Sequence, residues 1–435
     1  MARFKPFSTA PEPERAILVG VETRNSSWPC EKSLDELERL ASTAGAVTYA
    51  RLTQKLDKPI PRSFIGSGKV AELKSLVDQL HIDIVIFDDN LSPSQQSYLE
   101  KAVGEPVKIL DRTALILDIF GQHARTKEGR LQVQLAQLQY LLPRLRGMWS
   151  HLAKEQTRGG IGSRFGQGES QLEVDRRLIR NKISSLKSQI DQVEKRRSTQ
   201  SKARNLSPAF RIALAGYTNA GKSSLLNAVT GASVHAEDKL FATLDPTTRN
   251  LVLPGGREVT VTDTVGFIRK LPHGLVDAFK STLSEVLDSD LILLVVDISD
   301  ADASFQIEAV MDVLKQIGAD NKPMITVLNK VDLLGDAKRK SISARYPDAI
   351  LFSASTGFGL ASLLDRLTLE ASSQDVLMQL KIPYRDGAAI DQIHRYAQII
   401  TEEYADCGYI VLAKLPRFLS NAYGNMYEYD ADTID

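Results

Sequence analysis

Cysteine is almost missing from this chain. Its 435 residues include two, Cys30 and Cys407, and neither stands at a spacing that holds a metal or forms a redox pair. That excludes a cysteine-built metal or redox site and predicts a reduced setting, with both thiols structural. Long apolar runs are missing as well. No stretch approaches the roughly 20 residues of a membrane span, and Met1-Ala2-Arg3-Phe4-Lys5-Pro6 lacks an apolar signal core. A soluble, cytoplasmic chain with no integral membrane segment is therefore expected. Net charge is the third absence, because 54 Lys and Arg balance 54 Asp and Glu. What remains, 43% apolar and 25% charged residues, is ordinary for a globular protein with room for two to four domains.

The neutral total hides an uneven distribution. Residues 121–200 carry 16 Lys and Arg against 7 Asp and Glu, and a basic arm in a neutral protein points to a polyanionic partner. A solvated charged helix face would give the same count.

The densest chemical signal is Gly216-Tyr217-Thr218-Asn219-Ala220-Gly221-Lys222-Ser223. The apolar run Ile212-Ala213-Leu214-Ala215 before it reads as a buried strand, and Ser223-Ser224-Leu225-Leu226 opens a helix. A glycine-rich loop at that turn brings backbone N–H groups to phosphates, Lys222 to the β- and γ-phosphates, and the Ser223 hydroxyl to Mg²⁺. Further on, Thr260-Val261-Thr262 delivers Asp263-Thr264-Val265-Gly266. Asp263 would hold Mg²⁺ through water there, and the Gly266 N–H would meet the γ-phosphate, as in the phosphate-loop template. The strand Leu291 to Val296 is followed by Pro323 to Leu328, which ends in Asn329-Lys330-Val331-Asp332. The Asp332 carboxylate can accept from guanine N1–H and the exocyclic amine; adenine offers the opposite polarity and would leave it unpaired. A last strand, Ile350-Leu351-Phe352, leads to Ser353-Ala354-Ser355, which resembles the loop that supports a guanine ring. The ordered set predicts GTP and GDP binding and GTP hydrolysis.

Between the loop and Asp263 lies Phe241-Ala242-Thr243-Leu244-Asp245-Pro246-Thr247-Thr248, with the look of a first switch. By chemistry Thr243, Thr247 and Thr248 all qualify as the second Mg²⁺ ligand beside Ser223. Resemblance to ribosome-associated GTPases with a Phe-x-Thr-Leu switch favours Thr243. After Gly266 comes Phe267, where Ras-like GTPases carry the glutamine that orients the attacking water. Phenylalanine cannot hydrogen-bond a water, so no catalytic side chain is assigned, and slow intrinsic hydrolysis is expected.

The first part of the chain alternates strands such as Ile17-Leu18-Val19 and Ile84-Val85-Ile86-Phe87 with helical stretches Leu34 to Leu40 and Val70 to Leu80. This predicts a small α/β domain with a largely parallel sheet. Within it, Phe64-Ile65-Gly66-Ser67-Gly68-Lys69 mimics a phosphate loop but lacks the spacing; a helix start is the better reading. From about Thr113 the pattern turns helical. Leu131, Leu135, Leu138 and Leu142 share one face, and Leu172, Ile179, Ile183, Leu186, Ile190 and Val193 another, so two long helices can pair. Between them, Arg158 to Gln167 concentrates glycines with Arg158 and Arg164, the composition of a hinge loop.

The segment after that break, Gly166-Gln167-Gly168-Glu169-Ser170-Gln171-Leu172-Glu173-Val174-Asp175-Arg176-Arg177, resembles the signature Gly-Pro-Gly-Glu-Thr-Gln-Leu-Glu-x-Asp-Arg-Arg of the HflX family of ribosome-associated GTPases. Gln167 replaces the proline and Ser170 the threonine. Phe64 to Lys69, Phe87-Asp88-Asp89-Asn90-Leu91-Ser92-Pro93 and Leu110-Asp111-Arg112-Thr113 extend the likeness over roughly residues 15–370. The resemblance implies binding to the large ribosomal subunit and its rRNA, ribosome-stimulated GTP hydrolysis, and splitting of stalled or hibernating ribosomes under stress. Arg158, Arg164, Arg176 and Arg177 become candidate ribosome contacts.

The expected architecture is a Ras-like α/β phosphate-loop GTPase domain with a mainly parallel sheet, preceded by a small α/β domain and a long helical hairpin. A small α+β C-terminal domain follows, containing Pro383, Glu402-Glu403-Tyr404 and Tyr409-Ile410-Val411-Leu412. Boundaries fall at 1–112, 113–205, 206–373 and 374–435, in a chain expected to act as a monomer. Two other functions fit parts of the sequence: a GTP-dependent regulatory switch that binds a protein partner without RNA, against which the basic arm argues, and an ATP-driven RNA remodeller resting on Gly66-Ser67-Gly68-Lys69.

Overall fold

The computed structural model describes residues 13–24, 28–145, 167–204, 210–231, 240–241, 245–270, 285–373, 375–405 and 408–428. They fall into two compact units, one within Met1–Asp191 and Lys270–Ala278, the other within Gln192–Arg269 and Phe279–Asp435.

In the first unit, β1 (Glu14–Glu22), β2 (Ala46–Lys55), β3 (Ile84–Phe87) and β4 (Lys108–Asp111) form a parallel sheet in the order β2-β1-β3-β4. Ile17-Leu18-Val19 and Ile84 to Phe87 are apolar at every position because helices cover both faces of such a sheet. The covering helices are α1 (Cys30–Thr43), α2 (Ser67–Leu80), α3 (Pro93–Val103) and α4 (Arg112–His123). Ser92 starts α3 with a reciprocal capping box to Gln95, and the Asp111 carboxylate accepts from Ala114 N at 2.9 Å to start α4. Gly66 is the N-cap of α2, its N–H donating to Gln54 Oε1 at 2.8 Å, and Lys69 pairs with Glu72, so the glycine-rich stretch is a helix start as expected. Cys30 lies buried at the start of α1, where burial pushes its thiol up to about 11.

This unit also buries charge. Arg112 is 1% exposed and pairs with Asp88 at 2.7 Å and with Glu36, while Ser33 Oγ donates to Asp88 at 2.6 Å. Burial alone would raise the Asp88 carboxyl, but the Arg112 guanidinium and the Lys270 ammonium outweigh it and hold it below the usual carboxylate range.

Two further helices, α5 (Lys127–Leu141) and α6 (Gln167–Arg204), form the hairpin. Leu131 and Leu135 of α5 pack against Leu186 and Ile190 of α6, flanked by Leu138 and Ile183. The expected stripe therefore pairs the helices, since residues three and four apart share a face.

In the second unit, β5 (Phe210–Gly216), β6 (Thr247–Val252), β7 (Glu258–Asp263), β8 (Leu291–Asp297), β9 (Met324–Asn329) and β10 (Ile350–Leu351) form a sheet ordered β10-β9-β8-β5-β7-β6. All neighbours run parallel except β6 and β7. Helices α7 (Lys222–Thr230), α8 (Ala303–Gln316), α9 (Asp336–Arg345) and α10 (Leu360–Ala371) follow β5, β8, β9 and β10. Ile212, Leu214, Val261, Leu293, Val295 and Val327 join Leu225, Leu363 and Leu367 in the core, each burial contributing about 1.5–3 kcal/mol. The order reverses between β5 and β8, and ligands bind outside the carboxyl ends of strands at such a point.

The C-terminal layer is an antiparallel sheet β11-β13-β12, from β11 (Val376–Ile382), β12 (Gln398–Ala405) and β13 (Gly408–Leu415), with α11 (Gly387–Tyr396) and α12 (Arg417–Tyr427). Tyr409, Val411, Ala413 and Leu415 of β13 alternate into a core with Ile393 and Leu419, as in a sheet covered on one side. A buried ion pair between Arg257 in the β6–β7 turn and Asp375 before β11 fixes this layer to the larger sheet. Burial pushes Asp375 up and Arg257 down in spite of their attraction, so the pair supplies geometry more than stability.

Candidate active site

The phosphate loop lies where the sheet topology places a ligand, between the end of β5 and the start of α7. Gly221 caps α7 at φ +90, and a Cβ there would overlap Asn329 Nδ2, so only glycine fits. The helix has no side-chain cap, which leaves its first N–H groups for an anion. Lys222 is 7% exposed and its Nζ donates to Gly216 O at 3.2 Å and Tyr217 O at 2.9 Å. Burial pushes this ammonium down to about 8, against the pull of Asp263. Ser223 Oγ donates to Asp263 Oδ2 at 2.6 Å, and Thr264 Oγ1 donates to Leu214 O at 2.6 Å, locking the end of β7 to β5. The structure thus brings Lys222, Ser223 and the Asp263 segment together.

The second half of the site comes from the ends of β9 and β10. Asn329 Nδ2 donates to Ala220 O at 3.0 Å while its Oδ1 accepts from Ala354 N at 3.1 Å, so one amide ties the phosphate loop to the Ser353-Ala354-Ser355 loop. Asp332 accepts from Ser353 Oγ at 2.6 Å and Ser355 Oγ at 3.1 Å. The Ser353 bond, with help from Ser355, holds its carboxyl below the usual range. Lys330 sits at φ +63 with Nζ 2.7 Å from Asp297 Oδ2. These groups border a cleft of about 610 Å³ whose walls include Gly221, Asn227, Asn329, Lys330, Asp332 and Ser355. A loop of N–H donors and a lysine at one end, with a carboxylate at the other, can take a nucleotide whose base offers two adjacent donors.

Sequence reasoning placed Ser353 and Ser355 in the guanine loop but not on Asp332, and it missed Asp297 on Lys330. Asp297 carried a weak signal, the polar end of an otherwise apolar strand. Among the expected switch residues, Phe241 is buried and Asp245 precedes β6, whereas Ala242, Thr243 and Leu244 lie outside the described residues. Thr247 opens β6, and the Thr248 hydroxyl lies 2.9 Å from that of Thr262 within the β6–β7 ladder. Phe267 is 3% exposed. Arg176 and Arg177 stand on α6; Arg158 and Arg164 lie outside the described residues.

Comparison with known proteins finds three family models end to end. "GTP-binding GTPase N-terminal" matches residues 31–121, "GTP-binding GTPase Middle Region" residues 123–204, and "50S ribosome-binding GTPase" residues 211–330. The GTPase HflX of Caldanaerobacter subterraneus subsp. tengcongensis is 46% identical over 406 residues, 93% of this chain and 92% of that protein. The chain belongs to the HflX GTPase family. Its HflX relatives include those of Lacrimispora saccharolytica, 45% identical over 93% of this chain and 94% of that protein, and Escherichia coli K12, 42% identical over 92% of each. As an HflX-family GTPase it binds and hydrolyses GTP on a phosphate-loop domain. Among its described residues no helix is long and apolar enough to cross a membrane.

Proposed function

We propose that this HflX-family chain is a Mg²⁺-dependent, cytoplasmic GTPase that engages the large ribosomal subunit through rRNA and splits or rescues stalled or hibernating ribosomes under stress. The observation that carries the ribosomal part is the match of residues 211–330 to the model described as a 50S ribosome-binding GTPase, joined to a chain whose excess positive charge sits in residues 121–200.

In this reading the N–H groups of Gly216 to Ser223 and the Lys222 ammonium hold the phosphates. Asp332 reads the guanine donor edge, steadied by Ser353 and Ser355. Ser223 Oγ and Asp263 Oδ2, 2.6 Å apart, are hard oxygen donors of the kind Mg²⁺ takes, so the residues fit that ion. Ser223 and Thr243 would ligate it directly and Asp263 through water; bound there, Mg²⁺ neutralises charge that develops on the β- and γ-phosphates. Thr264 to Gly266 follow Asp263 and place the Gly266 N–H toward the γ-phosphate. Phe267 supplies no group to orient water, so the isolated protein turns over slowly and its acceleration comes from outside.

The test is GTP turnover with and without large subunits, for wild type and for a deletion of residues 158–167. The deletion should keep its isolated rate and lose the stimulation, and binding should weaken steeply with salt as phosphate contacts release counterions. Full stimulation of the deletion protein would remove the arm from the mechanism.

A further inference from the structure

The backbone just past Gly266 is joined to the phosphate loop itself. Phe267 N donates to Gly216 O at 3.1 Å and Thr218 N donates to Phe267 O at 2.8 Å, so Tyr217 and Phe267 pair as a parallel bridge. A third bond extends it, from Arg269 N to the Tyr217 hydroxyl at 3.0 Å. Phe267 and Ile268 are buried, and Tyr217 is 7% exposed.

The bridge draws Gly266 onto the loop. A Cβ at Gly266 would stand 2.9 Å from Thr218 Cα and Cγ2 and 3.1 Å from Lys222 Nζ, while that ammonium is turned to Gly216 O and Tyr217 O. A terminal phosphate has to lie between Lys222 and the Gly266 N–H, each of them hydrogen-bonded to it. In this arrangement a Cβ at Gly266 would already crowd the ammonium, so little room is left beside Lys222 where a terminal phosphate would lie. The diphosphate makes no such demand, because its oxygens lie over the N–H groups at the start of α7.

We propose that Tyr217 is a specificity-determining residue for the phosphate chain: its hydroxyl latches residues 267–269 onto the phosphate loop, and GTP, but not GDP, has to break that latch to bind. The inference rests on the nucleotide-site reading above and is independent of the ribosomal part. A ligand that binds only the open arrangement loses affinity in proportion to how strongly the closed one is favoured. The two backbone bonds of the bridge belong to any sequence; the Tyr217 hydroxyl is the part that a side chain contributes. One such bond is worth about 1 kcal/mol, which corresponds to about a fivefold change in an equilibrium.

The experiment titrates purified protein with GDP and with a non-hydrolysable GTP analogue, each with Mg²⁺, for wild type and Tyr217→Phe. The substitution keeps the ring and the loop backbone and removes only the acceptor. The analogue should gain about fivefold on GDP in the variant. An unchanged ratio, or equal weakening of both nucleotides as a merely structural tyrosine would give, overturns the proposal. Hydrogen exchange on the wild type gives an independent reading: the Arg269 amide should exchange faster with the analogue than with GDP, and equal protection overturns the latch even if the variant does not fold. Lys222→Ala in the same titration separates the two ideas. Loss of both nucleotides supports the site on which the latch stands, and retention of both overturns site and latch together.

Discussion

Replacing Asp332 by asparagine changes one oxygen to an amine and leaves the rest of the cleft in place. The carboxylate accepts from Ser353 at 2.6 Å and Ser355 at 3.1 Å, so both oxygens are already oriented, and Ser353 holds the group ionised. Guanine would add two donors, N1–H and the exocyclic amine, to the same two oxygens. In Asp332→Asn one of those donors meets an N–H₂ group instead. The loss is one bond to a charged acceptor, about 1.5–3 kcal/mol, plus the cost of a desolvated donor without a partner, about 1–3 kcal/mol. Together these predict a fall of about 2.5–6 kcal/mol, roughly two to four and a half decades in GDP affinity. Xanthine carries a carbonyl where guanine carries the amine, and that oxygen accepts from the new amide, so xanthosine diphosphate should bind better to the variant than to the wild type. Equilibrium titration with both nucleotides measures each arm. Unchanged GDP affinity would refute the assignment of Asp332, and a loss with no gain for the xanthosine nucleotide would refute the bonding pattern.

Lys222, held near 8 by burial, has to be charged to hold phosphate; nucleotide affinity should fall as pH rises through that value, and titration at pH 8 should show proton uptake as the phosphates draw its pKa back up. A pH-independent affinity between 7 and 9 would show that the lysine is charged throughout. Ser223→Ala should lower affinity in Mg²⁺ but not in EDTA, and Thr243→Ala should weaken the triphosphate more than the diphosphate; the same selective loss from Thr247→Ala alone would move the switch ligand. Arg112→Leu leaves Asp88 buried beside Glu36 without its guanidinium and should cost about 3–5 kcal/mol in urea unfolding followed in the first unit. Because the folded Asp88 pKa lies below its unfolded value, its stabilisation is present above about pH 4 and is lost as pH falls further. That acid-side loss should be smaller in Arg112→Leu, and an identical acid profile would count against the pairing.

The phosphate loop, the Asp263 segment and the Asn329-Lys330-Val331-Asp332 run could be read from residue order alone because each is a local device. Gly221 must be glycine where the backbone turns left-handed against Asn329, the apolar run before Gly216 must be a buried strand, and the helix that starts at Lys222 follows from both. Periodicity likewise specified the hairpin, since Leu131 and Leu135 recur at the spacing that puts them on one face, and the glycines at 66 and 68 lacked the spacing of a second phosphate loop. What the order of residues could not specify is which distant groups meet. Tyr217 reaches Arg269 across 52 residues, Asp332 reaches Ser353 across 21, and Arg112 finds Asp88 across 24. Tyrosine, serine and arginine are common residues with no spacing signature, and their partners come from neighbouring strands of a sheet whose order differs from chain order. Local backbone chemistry wrote the nucleotide site into the sequence, whereas the groups that orient Asp332, hold Lys330 and fasten the segment after Gly266 were decided by strand adjacency, which exists only once the sheet has formed.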